Sequence, residues 1–266
     1  MKTELIAVVL LAGAIALSPR LAAAQTCSTA TREQAAAALK TARMELMGLP
    51  MAQMSTDVDP SAQAGIERLK DRLQSFVDAV MRCAPPTADA DALQRQIASQ
   101  GDAVDPPAFD PKTPGPDRMG ESLAYEVRVI EGRWPIVAVV AHFGIECGSD
   151  SILMLYKHKA GRWSDVMVRR SKPYRSISGA WEELEYDISE PDAKGRWFVV
   201  TANVNPWCVS VWQRVHFDVA RPGPMPRQPK VLLSRSNTIN IEDGVTIEAG
   251  RSVFTVRYDG RSLDPG

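Results

Sequence analysis

Two periods of hydrophobic spacing divide this chain. Before residue 101 apolar residues recur at helical intervals. In residues 31–49, Ala35, Ala38, Leu39, Ala42, Leu46 and Leu49 share one face. Thr31 followed by Gln34 predicts a capping-box start, and Gly48 with Pro50 predicts a stop. A second helix is predicted from Asp59-Pro60, a capping carboxylate before a proline at the first helical position. Its apolar face is Ile66, Leu69, Leu73, Phe76, Val77 and Val80, with Glu67, Arg68, Lys70, Asp71 and Arg72 between. A weaker third helix is predicted over 87–100, ending at Gly101.

From Ser122 onward the period becomes two. Residues 123–130 alternate Leu, Tyr and Val against Ala, Glu and Arg. Short strands then follow one another without an intervening helical pattern, which predicts antiparallel sheet. The last recognisable strand ends at Tyr258.

A weak internal repeat runs through this half. Gly132-Arg133-Trp134 and Gly195-Arg196-Trp197 each open an apolar strand. Each strand leads to a turn carrying a cysteine, Cys147 or Cys208, and then to an aromatic-bearing strand. The next strand ends in Arg-Arg-Ser171 or Ser-Arg-Ser236. The offset is 63 residues at the tryptophans and 61 at the cysteines. This predicts a four-stranded unit used twice, with a third begun near Thr238, since one such unit cannot bury its own face.

The predicted fold class is therefore α+β. A disulfide-tied helical hairpin precedes an antiparallel β domain of repeated four-stranded units, either propeller-like or a β-sandwich. The divisions are a signal peptide over 1–24, a helical region over 25–101, a proline-rich linker over 102–120 and the β domain over 121–266. Five prolines and a glycine in 102–118 exclude helix and central strand there. The third unit is short of strands, so the β domain is expected to be incomplete at its C-terminus, with an open edge able to pair with a second chain.

Composition adds a compartment. Residues 5–17 form an apolar run of 13, too short to span a bilayer but suited to a secretory signal, and Ala22-Ala23-Ala24 satisfies the small-residue cleavage rule. The expected location is periplasmic or secreted, in a bacterial-type cell envelope. Removing 24 residues leaves 29 basic and 31 acidic residues, a net charge of −2. A near-neutral chain has no electrostatic claim on nucleic acid, and no other stretch approaches a membrane span. The expected partner is an envelope protein or a glycan.

Four cysteines in an exported chain favour two disulfides. Antiparallel packing of the first two helices puts Cys27 beside Cys83. Stacked repeat units would bring the turns of Cys147 and Cys208 together. The rival reading makes Cys147 a nucleophile with His142 as its base. Glu146 and Asp150 nearby would raise the thiol pKa, and an oxidising compartment would not leave the thiol free.

The function expected from these features is a non-enzymatic binding or structural module. Its contact residues would be Trp181, Trp207, Trp212 and Arg214, exposed aromatics with arginine being common binding anchors. The alternative is a metal-assisted hydrolase using His142, Glu146 and Asp150, although zinc sites usually present more ligands. No cofactor is expected, because no glycine-rich phosphate loop is present. Neither G-x-S-x-G nor S-x-x-K occurs.

Overall fold

A computed structural model of the chain describes residues 27–49, 56–87, 89–101, 118–130, 135–146, 148–191, 194–206 and 212–240, and three later strands. The segment predicted to be a signal peptide, most of the predicted proline-rich linker, Cys147, Trp207 and Cys208 lie outside the described residues.

Three helices come first: α1 (Thr29–Met47), α2 (Pro60–Cys83) and α3 (Ala90–Gln100). Helix α1 begins earlier than the capping-box reading of Thr31 places it. Ser28 is the cap, and its hydroxyl accepts from Thr31 N–H. A serine three residues upstream competes for the same orphan amides and wins. Helix α2 starts where Asp59-Pro60 predicts, with the Asp59 carboxylate accepting from Ser61 N–H at 2.8 Å. Its hydrogen bonds to Ser61 hold the Asp59 pKa below the ordinary value. Helices α1 and α2 pack together, and a disulfide joins Cys27 to Cys83 with Cα atoms 4.9 Å apart.

Two antiparallel four-stranded sheets follow, each with its strands in sequence order. The first contains β1 (Leu123–Ile130), β2 (Ile136–Ile145), β3 (Gly148–Lys159) and β4 (Arg162–Arg170). The second contains β5 (Glu182–Ile188), β6 (Val199–Val204), β7 (Trp212–Arg221) and β8 (Lys230–Asn240). The β3–β4 turn needs positive φ at two successive residues, found at Ala160 (51°) and Gly161 (79°). A third sheet holds β9 (Val245–Ala249), β10 (Phe254–Tyr258) and β11 (Arg261–Leu263), in the order β11-β10-β9. Strand β11 lies beyond the last strand legible in the sequence. Strand β9 contacts β5 and β6.

The first sheet is the middle layer. One core joins Leu69, Phe76 and Val80 of the helices to Val137, Val139, Met154 and Tyr156 of the sheet. A second core on the opposite face joins Ala138, Val140, Leu153 and Met167 to Leu184, Tyr186 and Val199 of the second sheet. Strand β2 is covered on both faces, which is why its sequence runs as IVAVVA without alternation. The far face of the second sheet carries a third small cluster of Val200, Ala202, Phe217 and Val219.

Candidate functional site

Strand register sorts the sequence-derived candidates. His142 faces Ser151 across the β2–β3 ladder, whereas Asp150 faces Phe143. Adjacent strand positions point to opposite faces, so His142 projects toward the second sheet and Asp150 toward the helices. Glu146 sits at the β2–β3 turn and lines a small cavity on the helix side with Met119, Ile145 and Ile177. These three residues do not converge. Among the described residues no group of three or more His, Cys, Asp or Glu side chains could hold a metal ion.

Asp150 is instead the centre of a buried polar knot. Its Oδ2 lies 2.9 Å from Lys70 Nζ and accepts from the Ser171 hydroxyl at 2.8 Å and Tyr174 OH at 3.1 Å. Its Oδ1 accepts the Ser151 and Trp181 backbone N–H groups, both at 2.9 Å. Burial, and then the charge of Asp150, push the Tyr174 hydroxyl pKa far upward, so Tyr174 serves as a donor. Five donors on one carboxylate leave it no free coordination site.

Among the binding candidates, Trp181 is half-buried and its ring lies 5.5 Å from the Arg169 guanidinium. Arg214 is exposed on β7. Trp207 and the side chain of Trp212 lie outside the described residues.

Between the two sheets lies a cleft of about 240 Å³, lined by Glu126, His142, Leu184, Glu185 and Asn203 among others. A β-bulge in β5 between Glu182 and Glu185 opens this wall. His142 Nδ1 bonds Ser151 Oγ at 2.8 Å. Burial lowers the His142 pKa against the opposing charge of Glu126, so the ring is neutral at neutral pH. Asn203 is 4% exposed at the cleft wall. The hydroxyl of Tyr186 is buried without a partner among the described residues. Burial, reinforced by the charge of Glu126, raises its pKa.

A second polar group lies beside this cleft. Asn203 pairs with His216 across the β6–β7 ladder. His216 Nε2 lies 3.2 Å from Asp218 Oδ1, and Arg169 of the first sheet pairs with Asp218 Oδ2. Burial alone would raise the Asp218 pKa. The hydrogen bond from His216 and the charge of Arg169 outweigh it and hold the carboxyl below its ordinary value. None of Asn203, His216, Asp218 or Lys70 is singled out by sequence reasoning. The available signal is Arg214-x-His216-x-Asp218, three polar residues on one strand face, and its meaning depends on the neighbouring strand.

No protein-family model, curated protein or solved structure matches this chain.

Proposed function

We propose that this chain is an exported binding module whose ligand occupies the cleft between the first and second sheets. One observation carries the proposal. Polar side chains of both sheets, Glu126 and His142 of the first and Glu185 and Asn203 of the second, line this cleft together. Tyr186 OH, close to Glu126, is buried without a partner among the described residues.

The chemistry of the wall suggests the ligand class. Carboxylates at Glu126 and Glu185 accept, the Asn203 amide donates and accepts, and the neutral His142 ring offers Nε2. That set suits vicinal hydroxyls. A volume of about 240 Å³ is small for a drug-sized molecule and suits a single sugar unit of an envelope glycan. The Cys27–Cys83 bridge supports the exported assignment, since disulfides persist in oxidising compartments. Sequential four-stranded meanders packed face to face support a propeller-like stacking over a β-sandwich.

Titration with glucose, galactose and N-acetylglucosamine, followed by the His142 ring signals in NMR, tests the reading. The expected result is a saturable shift with at least one sugar, lost in Asn203→Leu. Unchanged signals with all three sugars would refute the glycan assignment. Saturable binding that Asn203→Leu leaves intact would refute the cleft as the site.

A further inference from the structure

Asp218, His216 and Ser236 form a hydrogen-bonded relay on the β7–β8 ladder. His216 and Ser236 are register partners, and His216 Nδ1 lies 2.8 Å from Ser236 Oγ. The other ring nitrogen, Nε2, lies 3.2 Å from Asp218 Oδ1. Because Asp218 is held ionised, Nε2 carries the ring proton and donates it to the carboxylate. Nδ1 is then the acceptor for the Ser236 O–H. Burial increases along the relay: Ser236 is exposed, the His216 side chain is 30% exposed and that of Asp218 is 9% exposed.

Backbone direction supplies a further element. Asn205 N–H donates to Arg214 C=O, so the backbone groups of Arg214 face β6. Alternate residues share that direction, so those of His216 also face β6. The pair His216–Ser236 is therefore a non-hydrogen-bonded pair, the type whose side chains approach closest. The N–H and C=O of Ser236 then point away from β7. Arg235 Nη1 bonds Ser234 C=O at 3.1 Å, consistent with carbonyls of this phase lying on the outer edge. Strand β8 is the edge of its sheet, and among the described residues no strand pairs with its outer side.

We infer that Ser236 is an acyl-accepting nucleophile, with His216 as its base, Asp218 orienting the ring and the Ser236 N–H available to a developing oxyanion. The substrate class is a carboxylic ester. Ser236 Oγ bonds the acyl carbon while its proton passes to His216 Nδ1. Collapse breaks the bond from carbon to the leaving oxygen, and His216 returns that proton to the departing alcohol. Water then attacks the acyl-serine, giving a proton to His216 and releasing the acid as Ser236 regains its hydrogen. Asp218 keeps its charge throughout, held by Arg169 on its other oxygen. This activity goes beyond the cleft reading and does not depend on it, although Asn203 joins the two places across one ladder.

A fluorophosphonate serine probe applied to the folded full chain, read by intact mass and peptide mapping, is the test. The expected result is one adduct on Ser236, absent from S236A, and a labelling rate at least about 100-fold lower in H216A. Ser236 is exposed, so S236A should melt as the wild type does, separating loss of chemistry from loss of fold. A folded wild type that takes no label overturns the inference. So does labelling of S236A at the wild-type rate, because the relay is then only a cross-strand hydrogen bond.

Discussion

Lys70 Nζ lies 2.9 Å from Asp150 Oδ2, and neither side chain is exposed to solvent. The pair ties the middle of α2 to the start of β3. Lys70 also meets Glu67 Oε1 at 2.9 Å and stands 5.1 Å from the Tyr174 ring centre. Asp150 in turn holds Ser171 and the Trp181 amide, on the segment connecting the first sheet to the second. One carboxylate thus fixes the helical layer, the middle sheet and the crossing to the next sheet.

Breaking this pair from either side is expected to be severe. K70M leaves a buried carboxylate without its cation, and D150N leaves a buried ammonium short of its anion. Each should lose about 3–5 kcal/mol of unfolding free energy in urea titration. The double variant should lose less than the sum, because the two residues share one interaction. Additive losses would show that the two side chains act independently.

Chelation should change nothing in this knot. His142 and Asp150 occupy opposite faces of the sheet, and five donors already saturate Asp150. The melting temperature should therefore be the same with and without EDTA. A fall in EDTA would point to a metal held elsewhere in the chain.

The Cys27–Cys83 bridge closes a loop with a sequence separation of 56. Its reduction should lower stability by about 4 kcal/mol on the chain-entropy model. The effect should appear in urea unfolding with and without reductant, and C27A/C83A should reproduce it. A difference near zero would mean that α1–α2 packing alone fixes the helical layer.

Helix α2 was legible because two signals coincide there, a period of 3.6 and the Asp59-Pro60 start. The two meanders were legible from strand spacing and the Gly-Arg-Trp repeat. Lys70 was not legible. It sits among Glu67, Arg68 and Asp71, a run that reads as a solvated face, and besides Glu67 the partners that make its burial tolerable, Asp150 and Ser171, are distant in sequence. Asp150 misled in the opposite sense, as an acidic residue in a polar turn whose partners are distant in sequence. The relay was hidden for a third reason. H-x-D on one strand and Ser236 on another acquire meaning only through the register 216–236. Strand β11 has three residues, too few to show a period of two.

The second cysteine pair offers a check on the repeat. Cys147 and Cys208 lie outside the described residues, but their neighbours meet. A Cβ placed on Gly148 would stand 3.1 Å from Pro206 Cβ. Non-reducing peptide mapping should therefore recover Cys147–Cys208 beside Cys27–Cys83. A free thiol at Cys147 in the folded, oxidised protein would break the equivalence of the two turns.

Asp78 makes a prediction about pH. It lies on α2, and its Oδ1 accepts from Tyr156 OH at 2.6 Å. Burial raises its pKa to about 6 despite that hydrogen bond, from an ordinary value of 3.8. Between these values the folded chain retains a proton that the unfolded chain has released. Stability from this residue is thus greatest below the lower value, falls as pH rises through the window, and is fully lost above the upper one. The shift corresponds to a deficit on the order of 2–3 kcal/mol at neutral pH. Asn at this position keeps an acceptor for Tyr156 and carries no charge. D78N should therefore be more stable than the wild type at neutral pH by about that amount, with the advantage shrinking toward zero near pH ~4. Comparing urea midpoints of the two proteins across this range isolates the residue, since other carboxylates contribute equally to both curves. An advantage that is absent at neutral pH, or constant with pH, would show that Asp78 is charged at no cost in its buried position.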